Sequence, residues 1–234
     1  LTISPNLVAG RLLAAALDLA QQRGQRAEEK IRPVLAEMPD NLMAKRLLAE
    51  SLQQQGKDAE AKPLLEQLAA AKAEAIDRQT QVGLELLRAR EPEKALAVLQ
   101  RTAARAPESP GVNAALVAAL LQDKKVDEAV AAAERLQKDH PGDLVALRAL
   151  AAAQTAKGDL AGAKATFRKA LEAAPGDALA SVGLADLLGR ENDLDAARKV
   201  LEEASSRHPD DAGHGLLGEV ACLQAQGLVV GEAD

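Results

Sequence analysis

The sequence predicts an all-α protein, a superhelix of antiparallel helix pairs, and three observations carry that reading. Of 234 residues, 52 are alanine and 38 leucine, and Phe167 is the single aromatic. Strong helix formers thus stand where pleated sheets would need β-branched and aromatic residues. Prolines fall at Pro5, Pro39, Pro107, Pro141, Pro175 and Pro209, one every 34 residues, with the skipped slot held by Ala73. Alanine keeps the same period at Ala27, Ala61, Ala95, Ala129, Ala163 and Ala197. A fixed period of this length marks a repeat architecture.

The copies run 8–41, 42–75, 76–109, 110–143, 144–177 and 178–211. Residues 1–7 are expected to be the remnant of a preceding repeat, and 212–234 a partial seventh repeat or terminal helix. Copy 144–177 shows each element most plainly. Leu147, Leu150, Ala151 and Ala153 keep helical spacing, and Lys157-Gly158-Asp159 then breaks the helix. Leu160, Ala163, Phe167, Ala170 and Leu171 share one face of a second helix. Residues 174–177 close the unit, with Asp177 placed to cap the next helix. Thirteen or so helices are expected in all. Copy 8–41 has a weak first helix, with Asp18 in a normally large position, and Pro33 and Pro63 should kink or delay their second helices.

A 34-residue helix–turn–helix with this pattern resembles the tetratricopeptide repeat (TPR). In copy 144–177 the family's position 4 is Leu147, the 7 and 8 pair is Leu150-Ala151, and the position 20 alanine is Ala163. The position 24 aromatic is Phe167, position 27 is Ala170 and position 32 is Pro175. The chain departs from the family in lacking the Trp and Tyr of the first helix; Gln154, Asn113 and Lys45 are among the replacements. Neighbouring pairs are expected to stack and share one core, because a single pair cannot bury its own apolar face.

The resemblance implies a partner groove built from positions 2, 5, 9, 12 and 13 of each repeat. Carried over, these are Met43, Arg46, Glu50, Gln53 and Gln54 in one copy, and Asp77, Thr80, Leu84, Leu87 and Arg88 in the next. Copy 110–143 offers Ala114, Ala118, Leu121 and Gln122; the last two copies offer Arg148, Thr155, Asp186 and Arg190. The family's clamp for a peptide carboxylate uses Lys or Arg at position 5 with Asn at position 9. Here Arg46 is followed by Glu50 and Arg148 by Ala152, so that clamp is not expected.

Other chemistries find little footing. The chain carries no G-x-G-x-x-G, Walker, G-x-S-x-G or H-E-x-x-H motif, so no catalytic, cofactor or metal site is expected. His140 and His208 occupy the same turn slot, and His214 adds too few ligands for a metal. Cys222, the sole cysteine, stands among apolar residues in sequence and is expected to be a small buried hydrophobe. A net charge of −6 and the lack of stacking aromatics argue against nucleic acid. No apolar run is long enough for a membrane span.

The expected function is a non-enzymatic scaffold that holds a protein or peptide segment on a concave face. Phrases such as LQKDHPGDLVALRALAAAQ also resemble bacterial TPR lipoproteins of exosortase and exopolysaccharide systems. That would imply a periplasmic or cell-envelope location. A third reading is a regulatory TPR region fused to an enzyme elsewhere in the polypeptide. End-to-end self-association is expected through 214–230, where Leu217 and Leu223 would be exposed.

Overall fold

The computed structural model describes residues 8–207, which divide into two compact units at Asp77 and Arg78. The fold is all-α: eleven helices and no strand among the described residues. The N-terminal unit holds α1 (Val8–Ala20), α2 (Gly24–Glu37), α3 (Leu42–Gln54) and the first part of α4 (Asp58–Arg88). The C-terminal unit takes the rest of α4, then α5 (Pro92–Arg105), α6 (Pro110–Gln122), α7 (Val126–Asp139) and α8 (Leu144–Lys157). It continues with α9 (Leu160–Ala173), α10 (Ala178–Arg190) and α11 (Leu194–Arg207).

From α1 to α3 and from α5 to α11, consecutive helices pack as neighbours across short turns, and first helices of successive copies also touch: α1 with α3, α6 with α8, α8 with α10. Connections of this length force antiparallel neighbours. The alanine ladder marks the closest approaches. All six of its members are 1% exposed or less, leaving no room for a larger side chain. One core in the N-terminal unit gathers Leu19, Ile31, Val34, Leu48 and Leu52. Two cores fill the C-terminal unit, one around Leu99, Leu120 and Leu136, the other around Phe167, Leu184 and Leu201.

Turn chemistry repeats with the same fidelity. The helix-pair turn places a left-handed residue at the fifteenth position of every copy: Gln22, Gly56, Arg90, Lys124, Gly158 and Asn192, with φ between 57° and 86°. Between copies, the closing proline is followed two residues later by a capping side chain. Asn41, Ser109, Asp143 and Asp177 accept from the backbone N–H groups of Ala44, Val112, Ala146 and Ala180 at 3.0, 3.5, 2.9 and 2.8 Å. Asp177 thus caps as its sequence position predicts.

Three expectations need correction. Of the thirteen or so helices expected, the twelve of the six pairs fall among the described residues, where they form eleven. No break occurs between copies 42–75 and 76–109: α4 runs 31 residues through it. The proline slot there is Ala73 and the cap slot is Ala75, so neither a stop nor a start signal is present. Pro33 and Pro63 lie inside α2 and α4 without ending or delaying either helix. Pro63 is in the second turn, where it removes only one early N–H from the ladder. Nor is Asp18 a defect. It is buried, and Lys30 donates to its carboxylate from the facing helix. Gln154 repeats the arrangement, with Oε1 accepting from Thr166 Oγ1 at 2.8 Å.

Candidate functional site

In the N-terminal unit, α3 turns Met43, Arg46, Glu50 and Gln53 outward at helical spacing, forming one exposed stripe. Arg46 reaches only the Met43 sulfur, at 3.4 Å. Gln54 is half-buried, and its Nε2 donates to the Leu19 carbonyl at 3.0 Å. It ties one copy to the preceding one, as Gln122 does through the Leu87 carbonyl at 3.1 Å in the C-terminal unit.

The C-terminal unit sets α6, α8 and α10 side by side. Ala118 and Ala152 are exposed there, Ala114 is half-buried, and Leu179 is 65% exposed. Most of the charged and polar groove residues are engaged within the fold. Arg148 Nη1 donates to Asp177 Oδ2 at 3.0 Å, while the other oxygen of that carboxylate caps α10. Arg190 pairs with Asp186 at 2.8 Å, one turn away. Thr155 Oγ1 donates to its own helix at the Ala151 carbonyl, 2.8 Å. Leu84 is packed against the core, and Arg88 pairs with Glu85. Sequence spacing brings these residues to one face but cannot show which are occupied. Arg148 is the clearest case, since its partner lies 29 residues away.

Two further features lie off these faces. In the N-terminal unit, Glu28 is buried and accepts from Gln55 at 2.8 Å, Lys57 at 3.1 Å and Arg32 at 2.6 Å. Burial alone would raise this carboxyl. The hydrogen bonds from Gln55, Arg32 and Lys57 outweigh it and bring Glu28 down to about 2. The signal was in the sequence: Lys164 and Glu191 pair across the same 27-residue spacing as Glu28 and Gln55. In the C-terminal unit, a cavity of about 430 Å³ lies between α5 and α7, lined by Gln100, Ala103, Pro107, Asn113, Arg135 and His140 among others. His140, expected as an exposed turn residue, is half-buried here and ends α7. The Asn113 amide is spent on the Pro107 and Ser109 carbonyls, at 2.8 and 2.9 Å.

His208, His214, Cys222, Leu217, Leu223 and the 214–230 segment lie outside the described residues. Among those described, no group of His, Cys, Asp and Glu is arranged to hold a metal, and no helix is long and apolar enough to cross a membrane.

Stacked helix pairs, a buried alanine at one fixed position and a side-chain cap after Pro39, Pro107, Pro141 and Pro175 define a helical-repeat solenoid. The chain belongs to the tetratricopeptide repeat family, whose model matches residues 86–153 and 154–220. Among solved structures it is similar to a thermophilic TPR protein of Thermus thermophilus, at 16% identity and a TM-score of 0.52. That match covers 95% of this chain and all of the other. It is also similar to PilW, described as a widely conserved type IV pilus biogenesis factor, at 18% identity and a TM-score of 0.51. Coverage there is 92% of this chain and 99% of PilW. At these identities the likeness is one of fold. No curated protein sequence matches the chain.

Proposed function

We propose that the protein is a non-enzymatic scaffold that holds a segment of a partner protein on the exposed faces of its first helices. One observation carries this reading: α6, α8 and α10 adjoin in the C-terminal unit, yet their shared face keeps Ala118, Ala152 and Leu179 in contact with solvent. Small side chains there let a partner backbone approach closely, and Leu179 offers it apolar area. In the N-terminal unit the Met43–Arg46–Glu50–Gln53 stripe is the corresponding surface. Membership in a family of interaction repeats supports the same reading.

The test is capture of partners from a native extract, with Ala118→Glu and Ala152→Glu for one face and Arg46→Glu for the other. Arg148→Glu is a poor probe, because it also strips a partner from the α10 cap. Loss of the same captured protein in a face variant of unchanged helicity supports the proposal. Capture that survives all three variants overturns it.

A further inference from the structure

The cavity between α5 and α7 has counterparts where α7 meets α9 and where α9 meets α11, and these are furnished differently. Two slots border each junction: position 28 of the earlier second helix and position 4 of the first helix that follows it. Between α7 and α9, position 4 is Leu147, which is 4% exposed and part of the core around Phe167. Between α9 and α11, position 28 is Leu171, packed against that same core. Between α5 and α7 the two slots hold Ala103 and Asn113. Alanine is short, and the Asn113 amide is drawn aside to the Pro107 and Ser109 carbonyls. What remains is the space of about 430 Å³ described above.

Floor and rim differ in chemistry. Ala103, Leu116, Ala132 and Leu136 line it with apolar surface. Glu108, Arg135 and Asp139 also line it, all three exposed, and none of them pairs with another described residue. Arg135 and Asp139 are one helical turn apart, as Asp186 and Arg190 are, yet only the latter two form an ion pair. On the first-helix face the arginines are spent within the fold: Arg148 on Asp177, Arg190 on Asp186. Here a guanidinium and two carboxylates stand uncommitted around an apolar hollow.

We propose that this cavity takes the indole of a tryptophan side chain carried by a partner protein. An indole brings an apolar body for the floor, a π-face for the Arg135 guanidinium and one N–H donor for Glu108 or Asp139. An aliphatic side chain would cover the floor and leave all three charges unused. A cavity of about 150 Å³ already holds a benzene ring, so two fused rings have room. The ring comes from another molecule, because the chain has no Trp or Tyr and its one Phe is committed elsewhere. Phe167 is seated against Gly183, where a Cβ would lie 2.3 Å from Cζ. Ala118 and Ala152 do not line the cavity, so it is a second surface whose test is independent of the first-helix faces.

N-acetyltryptophanamide is the probe. The chain has no indole of its own, so fluorescence excited on the indole band comes from the probe alone. Its emission should move to shorter wavelength, and saturate, as protein is titrated in. Ala103→Leu, which copies Leu171 at its own junction, should abolish the shift at unchanged helicity. Asn113→Leu, which copies Leu147, should do the same. Arg135→Ala should weaken binding about twofold to fivefold, the worth of an exposed cation–π contact. The proposal is overturned by the lack of a saturable shift, by a shift that survives both leucine variants, or by unchanged affinity in Arg135→Ala. Equal displacement by N-acetylleucinamide would also overturn it, since the site would then be an apolar slot with no preference for a ring.

Discussion

The segments 107–109 and 73–75 stand at the same place in their repeats and behave differently. Pro107 follows the end of α5, and Ser109 restarts the chain as a cap for α6, its hydroxyl accepting from the Val112 N–H. Ala73-Glu74-Ala75 offers neither device, and α4 passes straight through. Alanine and glutamate are strong helix formers, so with no proline to stop it and no cap to restart it, continuing the helix is the favoured outcome. The slots that follow agree. Arg78 and Glu85 stand where α3, α6, α8 and α10 bury small or apolar residues (Ala44, Val112, Ala146 and Ala180; Ser51, Ala119, Ala153 and Leu187), so a helix laid against them would have to bury charge. Two missing turn signals and two charges therefore point the same way, which is the consistency expected of a well-specified structure.

The largest expected effect comes from installing the missing signals. Ala73→Pro with Ala75→Asp should end the helix near residue 72, since a proline inside a helix costs about 3 kcal/mol or more. Amide exchange across 73–78 should quicken markedly; retained protection there would show that the two slots do not govern the break. Next in size is the alanine ladder. Ala129→Leu should overpack a fully buried contact and destabilise by about 1–3 kcal/mol. Ala131→Leu, on the exposed side of the same helix, should change the denaturation midpoint little. Equal shifts would mean that the repeat register is misassigned.

The caps sharpen the comparison at a finer level. Ser109→Ala should cost about 0.5–2 kcal/mol, the usual value of an N-cap. Asp177→Ala should cost more than Ser109→Ala, because it also leaves Arg148 without its carboxylate. Chemical denaturation of the two variants, side by side, tests that order. The last effect is the one tied to pH, and it belongs to Glu28. Its folded value of about 2 lies below the ordinary 4.5, so its contribution is complete above about 4.5 and is lost as pH falls towards 2. Exchange in α2 and α3 should quicken through that window, and Glu28→Gln should flatten the dependence. An unchanged pH profile in the variant would remove Glu28 from the account.

Much of the fold was legible because most repeats spell out their punctuation locally: a proline, a cap two residues on, a small residue at the closest approach. The continuity of α4 was legible too, but it needed two slots to be read together. Ala73 alone looks like a tolerated variation, whereas Ala73 with Ala75 removes both the stop and the start. The candidate faces were less legible. Position numbers put Arg46, Glu50 and Gln53 on one helix face, and all three are exposed. They could not show that Arg148 is committed to Asp177, or that Asp18 is neutralised by Lys30, because both partners come from other helices. Spacing along one helix says nothing about a side chain on its neighbour.

Phe167 seated against Gly183 has a consequence for how this protein can be watched. With no Trp or Tyr and a single Phe, the chain holds one benzene ring beside its three imidazoles, and that ring sits on the contact between α9 and α10. The ring-current displacement expected at Gly183 therefore has an assigned source, the ring it touches. The Gly183 α-protons, held against the ring, should resonate far from their usual position while α9 and α10 stay together and return to it when they part. A single natural signal would report the opening of one chosen joint, with no label and no substitution.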